Sequence, residues 1–376
     1  MKTPQICALA CAAAISGTAA HAYQYGSPMF ASAISARNIG VMQHSIILAA
    51  MDTFEGAAMP AIGPRGHFGQ HHHATNAPHN HYHYHENAAA QYGHMPMYGE
   101  YGDDGTVFQG RSGGDHPARQ APTMNNAWLA WRHYGDDAKL NDLGMMDSRY
   151  DLIMAGLSVQ RAQIRGGVSE FGMFGGYTGG VQQDDAMEMH ENGGYLGIYN
   201  GYNIGQFGIS LALDAGTLYN RMKDTGFATD TFHNIWIGAA AKLEYNIRLT
   251  QALTLQPGVY AGYTWIRSPD YTLVNNTQIQ NENLNLLEIA PALRAIQHIG
   301  RGWYGTLGAR FAFNFIGGGK TYANNVLLTD LGDKDFIEYD IGIEKAVDRF
   351  NIAVNFGRRD LGRRGWNGGF NLKYRF

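Results

Sequence analysis

Cysteine is almost absent: the 376 residues hold two, Cys7 and Cys11. Both fall in a leader expected to be removed, so the mature chain has no thiol. That excludes a disulfide scaffold, a cysteine nucleophile and a thiolate metal site. Long apolar runs are missing too. Beyond the leader the longest, IILAAM at residues 46–51, is a third of the ~18 residues a lipid-spanning helix needs. Charge is sparse, at 16% of residues, and the net charge of −4 gives no basic field for nucleic acid. What is abundant is glycine (49) and tyrosine (22), within a composition that is 45% hydrophobic. Many glycines and aromatics with no long apolar run fit strands that are apolar on one face only.

The leader is residues 1–22. Lys2 supplies its positive end, residues 6–15 its apolar run, and Ala20-His21-Ala22 the small-residue exit. This is a secretory signal peptide cut before Tyr23. Ala8-Leu9-Ala10 ahead of Cys11 is not a lipobox.

The other end of the chain reads FNLKYRF. Phe370, Leu372, Tyr374 and Phe376 alternate with Asn371, Lys373 and Arg375. Period two gives a strand with one apolar and one polar face. The stretch resembles the C-terminal signal of bacterial outer-membrane barrels, which implies that the barrel-assembly machinery reads those four residues.

Between the ends lie three unlike segments. In residues 23–56, Ile39, Met42, Ile46, Ala50 and Phe54 recur every three or four residues, which predicts an amphipathic helix over 36–54 that Gly56 can end. Residues 57–122 are rich in Gly, His, Pro, Asn and Ala and read as a low-complexity linker. Residues 123–376 hold all six Trp and a succession of alternating stretches. In 207–217, Phe207, Ile209, Leu211 and Leu213 alternate with Gly208, Ser210, Ala212 and Asp214. Residues 253–265 and 303–315 behave alike.

Twelve strands are expected near 126–134, 149–160, 167–178, 193–203, 206–218, 233–246, 251–265, 284–297, 302–315, 335–345, 349–357 and 369–376. Their connections alternate between long (135–147, 179–192, 220–231, 266–283, 316–334, 357–368) and short (203–206, 246–250, 298–301, 346–348). Such sorting is the mark of a transmembrane barrel with long outer loops and short periplasmic turns. The expected fold is all-β: a twelve-stranded antiparallel transmembrane β-barrel, preceded by a short amphipathic helix and a low-complexity linker.

Charged residues at the non-apolar positions are expected to face the lumen: Glu170, Asp214, Lys242, Glu244, Glu288, Arg294, Arg310, Glu338, Asp340, Glu344, Lys373 and Arg375. Turning the basic ones toward lipid would cost ~2–4 kcal/mol each near mid-membrane. Such an interior either stiffens the pore by pairing or sets its selectivity.

Residues 120–376 resemble the autotransporter β-domain, the translocator barrel of type V secretion. The resemblance rests on NAWLAWRHYGDD (126–137) followed by SRYDLIMAGLSVQR (148–161), on GAAAKLEYNIRLTQALTLQPGVYAGYTW (238–265), on the strand count and on terminal Phe376. It implies an outer-membrane protein of a Gram-negative bacterium, in contact with outer-membrane lipid. It further implies that helix 36–54 threads the pore. Two features depart from the family pattern. About 13 residues (23–35) precede the helix after the leader, where the family carries a large passenger. Asn38 stands without the second Asn that self-cleaving members use.

Nine of the 16 His fall between His67 and His94 in the linker, with His71, His72, His73, His79, His81, His83 and His85 the densest. Neutral imidazoles on a pliable tract suit labile Zn, Ni or Cu. The alternative is a plain polar linker that gains charge below about pH 6.5. A catalytic metal has no HExxH-type helix to hold it. His133 and His298, at strand ends, lack a serine two residues away on the same face. Asp136 and Asp137 read as a solvated pair in a loop. The expectation is therefore a monomeric, non-enzymatic translocator-type barrel without a large passenger and with no required cofactor. The alternatives are a narrow pore or a barrel that binds a surface ligand through its outer loops.

Overall fold

The computed structural model describes residues 29–55, 125–140, 144–164, 167–185, 187–223, 230–273, 276–328 and 335–376. The leader, the linker and the whole His tract lie outside the described residues.

Alternation over residues 126–375 makes one continuous antiparallel sheet that closes on itself. Its twelve strands are β1 (Asn126–Leu140), β2 (Gly144–Ile164), β3 (Gly167–Gln183), β4 (Glu188–Ile204), β5 (Phe207–Lys223), β6 (Asp230–Tyr245), β7 (Leu253–Arg267), β8 (Leu284–Gly300), β9 (Trp303–Gly318), β10 (Phe336–Val347), β11 (Phe350–Leu361) and β12 (Arg363–Arg375). Each pairs with the next, and β12 returns to β1 from Asn126↔Arg375 to Ala138↔Arg363. The backbone bond from Phe376 N–H to the Asn125 carbonyl, 3.0 Å, finishes the seam. Closure leaves no free edge, which a spanning sheet requires because lipid offers no hydrogen bonds.

The two faces follow the period. Along β5, Phe207, Ile209, Leu211 and Leu213 are exposed outward while Gly208, Ser210, Ala212 and Asp214 are buried. The same outward band continues through Leu129, Ile153, Leu196, Ile237, Leu307, Ile341 and Val354.

The strands run 12 to 21 residues, longer than the sequence pattern suggests. Residues 135–140 pair with 144–149, 179–183 with 188–192, and 357–359 with 365–367. The expected long loops 135–147, 179–192 and 357–368 are thus mostly hairpin among the described residues, and 220–222 pairs with 230–232. Backbone pairing continues past the apolar belt, where side chains no longer alternate and the sequence signal fades. Long connections remain between β7 and β8 and between β9 and β10. They build a separate four-stranded sheet from Tyr271–Thr272, Gln278–Asn281, Thr321–Ala323 and Val326–Leu327. A two-residue turn with positive φ at Asn324 (48°) and Asn325 (65°) joins its last pair, the twist a tight hairpin needs. At the opposite end, β8 and β9 are joined through Arg301 (φ 50°) and Gly302 (φ 74°) in the same manner.

One helix, α1 (Ala31–Glu55), occupies the barrel. Its 25 residues reach about 37 Å, enough to cross a hydrocarbon core of about 30 Å. No described helix is long and apolar enough to cross a membrane in contact with lipid. This one has protein on every side: Ile39, Ile46 and Ala50 are buried, and so are Ser35, Arg37, Asn38, Gln43 and His44.

Candidate functional site

The interior is divided between the helix and the wall's own aromatic side chains. The helix packs along β4 to β8 and also touches β2. Space it leaves is filled by Trp128, Tyr134, Tyr150, Phe174, Tyr195, Tyr199 and Trp236, which join the helix in one cluster. Several of these rings lie over a glycine directly opposite on the next strand. Trp128 pairs with Gly156, Tyr199 with Gly172 and Trp236 with Gly216. A Cβ on any of these glycines would collide with its ring.

Hydrogen bonds tie the helix to the wall along its length. Near its start, Ser35 Oγ donates to Asn220 Oδ1 (2.8 Å) and Asn38 Nδ2 to Glu191 Oε2 (3.1 Å). At mid-helix, Gln43 Nε2 donates to Asp214 Oδ1 (2.7 Å), and Gln43 Oε1 accepts from Thr264 Oγ1 (2.6 Å). His44 Nδ1 lies 2.6 Å from the Tyr260 hydroxyl. At its end, Asp52 pairs with Lys242 (2.9 Å) and Arg294 (3.7 Å). Gly40 lies against Leu286 so closely that a Cβ would strike its side chain.

These contacts set the direction of the helix. Asn220 and Glu191 stand at the strand ends that carry the long connections, and Lys242 stands near the short-turn end. The helix therefore enters at the long-connection end and finishes at the short-turn end. Around its entry, Phe30, Ala31, Ala33 and Ile34 pack with Met146, Met187, Met189, Met222, Phe232, Leu273 and Ile279. The last two belong to the region of the small outer sheet, which closes over the helix start.

The twelve charged residues expected inside are all buried or half-buried, and none joins the outward apolar band. Glu244 pairs with Lys242 at 2.8 Å, in the group that holds Asp52. Arg310 bridges Glu288 (2.9 Å) and Glu338 (3.2 Å). Glu170 accepts from Asn126 (3.1 Å) and Tyr199 (3.4 Å), and Glu344 accepts from Asn351. Asp214 accepts from Trp236 Nε1 (2.9 Å) as well as from the helix. Asp340 lies beside Gly308, and Lys373 and Arg375 extend the charged lining at the short-turn end.

Two members of this lining were missed. Arg359 is 0% exposed and holds Asp136 (2.5 Å) and Glu338 (2.7 Å). Asp136, expected in a solvated loop pair, is 1% exposed. Both lie in strand extensions that read as loop, where glycines and charges hide the alternation. Glu191 and Gln182 were likewise placed in an outer loop. They are buried and joined to each other at 2.7 Å.

His133 stands on the outer wall, 3.1 Å from Asp151, which also accepts from Trp131 Nε1. His298 lies beside the Tyr304 ring. Among the described residues no hydroxyl nucleophile is hydrogen-bonded to either. Of the four C-terminal residues expected to mark the chain for assembly, Phe370, Leu372 and Tyr374 lie on the outer face of β12 and Phe376 just past its end, with Tyr374 stacked on Phe376 and tilted against Phe350.

A closed twelve-stranded barrel with an apolar outer band and a single helix in its lumen defines a membrane translocator barrel. Residues 130–359 match the autotransporter beta-domain. The chain belongs to that family, whose barrels are outer-membrane proteins. Solved structures agree on the fold. The transport unit of the autotransporter AIDA-I from Escherichia coli superposes with a TM-score of 0.59 at 15% identity, covering 69% of this chain and 92% of that one. The translocator domain of NalP from Neisseria meningitidis gives 0.58 at 10% identity, over 68% and 89%. The β-domain of the Bordetella autotransporter BrkA gives 0.54 at 13% identity, over 66% and 98%. A comparison with curated protein sequences gives no match.

Proposed function

We propose that this chain is a non-enzymatic outer-membrane translocator barrel that keeps its own helix as the seal of its pore. The observation that supports this reading is the helix itself. It is buried on all sides and bonded to the wall near its start, at its middle and near its end. A helix is about 10–12 Å across, and here it shares the lumen with a set of inward aromatics that narrow the space beside it. The charged lining then serves to hold the helix and stiffen the wall. Lipid of the outer membrane and the barrel-assembly machinery are its partners, and the barrel acts as a monomer.

Planar-bilayer recording tests the seal. The intact protein should show little conductance, and a variant lacking residues 23–55 should show stable ion currents. Equal currents from both would overturn the reading.

The His tract is proposed to hold labile Zn, Ni or Cu. Glu55 and Asn125, which flank the linker, both lie at the short-turn end. Metal retained through dialysis by the intact chain, and lost when His71, His72, His73, His79, His81, His83 and His85 are changed to Ser, is the expected result. Equal retention by the variant would end the idea.

A further inference from the structure

The outer wall carries a cavity that the translocator role leaves unused. It lies across β11, β12, β1 and β2 at the long-connection end and has a volume of about 340 Å³. Gly135 and Gly365 form part of its lining, together with Arg149, Arg358, Arg364, Trp366, Asp137 and Asp147. The register shows why it exists. One rung of the sheet reads Arg358, Trp366, Gly135, Arg149 across four strands. All point outward, and Gly135 leaves open space between the large side chains on either side.

Its height on the barrel is equally defined. Two rungs nearer the membrane centre, the same four strands present Val354, Phe370, Trp131 and Ile153, part of the outward apolar face. The rung between carries Phe356, His133 and Asp151. The arginines therefore stand just beyond the aromatic girdle, at the level where lipid headgroups meet the wall.

The arginines are set for an anion. Arg149 is held by Asp147 at 2.7 Å. Arg358 is held by Asp360 at 3.1 Å and lies over the Trp366 ring, 4.9 Å from its centroid. A guanidinium has five N–H donors in a planar fork, so each anchored arginine retains donors for a second acceptor. Arg364 makes no hydrogen bond or ion pair among the described residues. Anchored guanidinia, one open guanidinium and an adjoining apolar wall match a phosphate group attached to acyl chains.

We propose that this cavity binds the phosphate-bearing headgroup of an outer-leaflet lipid, with the acyl chains lying down the apolar wall of β11, β12, β1 and β2. The site would fix lipid against the β12–β1 seam, where the barrel closes. This rests on the outer-membrane reading, with the long connections facing outward.

The test uses the intact chain in detergent micelles, titrated with lipid A and with dephosphorylated lipid A while bound lipid is counted by native mass spectrometry. The protein should prefer the phosphorylated form. Combining R149Q, R358Q and R364Q should weaken its binding about tenfold. A control combining R221Q, K223Q and R267Q, at the same end but away from the seam, should bind as the parent does. Heat-modifiable migration on gels confirms that each variant is folded. Excess inorganic phosphate should leave lipid A bound, because the acyl chains hold it. Equal binding of the two lipids, equal loss in the control, or displacement by inorganic phosphate would each overturn the proposal. Orientation is read separately, by labelling a Val326→Cys variant on intact cells with an impermeant maleimide. A labelled cell surface with no lipid preference would defeat this site alone.

Discussion

Arg359 shows how the lining works at the scale of a residue. It has no contact with solvent, two carboxylates within bonding distance, and the Tyr134 ring 4.6 Å from its guanidinium carbon. Glu338 is shared with Arg310, which also holds Glu288. Removing Arg359 leaves Asp136 as a buried charge without its counter-ion and Glu338 with Arg310 alone. Arg359→Ala should therefore destabilise the barrel by about 3–5 kcal/mol, read as a lower denaturant midpoint for loss of heat-resistant mobility. Arg359→Lys should recover only part of this, because an ammonium cannot reach both carboxylates with a planar fork. Interior charges in the apolar belt were legible, since Glu170, Asp214 and Lys242 interrupt strands whose other face is plainly apolar. Arg359 and Asp136 were not, since their neighbours Gly357, Arg358 and Gly135 carry no apolar alternation against which a buried charge would stand out.

At the scale of an element, the helix inverts the usual meaning of amphipathicity. Its apolar stripe was readable from Ile39, Met42, Ile46 and Ala50. The opposite face is polar, yet Gln43, His44 and Asn38 are buried against polar groups of the wall. A polar pore presents donors and acceptors as water does, so a helix inside it looks like a surface helix in sequence. For the same reason the pattern located only 36–54 of the 25 helical residues. Gly40 offers a direct check of the register between helix and wall. A Cβ placed on Gly40 would lie 3.8 Å from Leu286 Cβ, within the spacing a disulfide takes. The pair Gly40→Cys and Leu286→Cys should cross-link on oxidation in a chain otherwise free of mature cysteine. The product should show a reducible shift on denaturing gels and stay closed in planar bilayers. Failure of the two thiols to join would mean that the helix sits elsewhere.

For the whole molecule, the period-two pattern was enough to count strands, because each span had to present an apolar face to lipid. It was not enough to find their ends, because hairpins continue beyond the belt. Closure depends on the last residues. Phe376 supplies the final backbone bond to Asn125, and its ring stacks on Tyr374, which packs against Phe350 of β11. Deleting Phe376 should lower the amount of heat-modifiable, membrane-inserted protein several-fold, about the effect of losing a recognition residue worth ~1 kcal/mol. Unaltered levels would show that the terminus is not read during assembly.

The direction of the helix has a topological consequence. Twelve strands and one helix give thirteen passages through the thickness of the membrane, and thirteen is odd. Residue 29 and residue 376 therefore emerge on opposite faces. Any peptide joined ahead of the helix would lie on the side of the long connections, and any peptide joined after β12 on the side of the short turns.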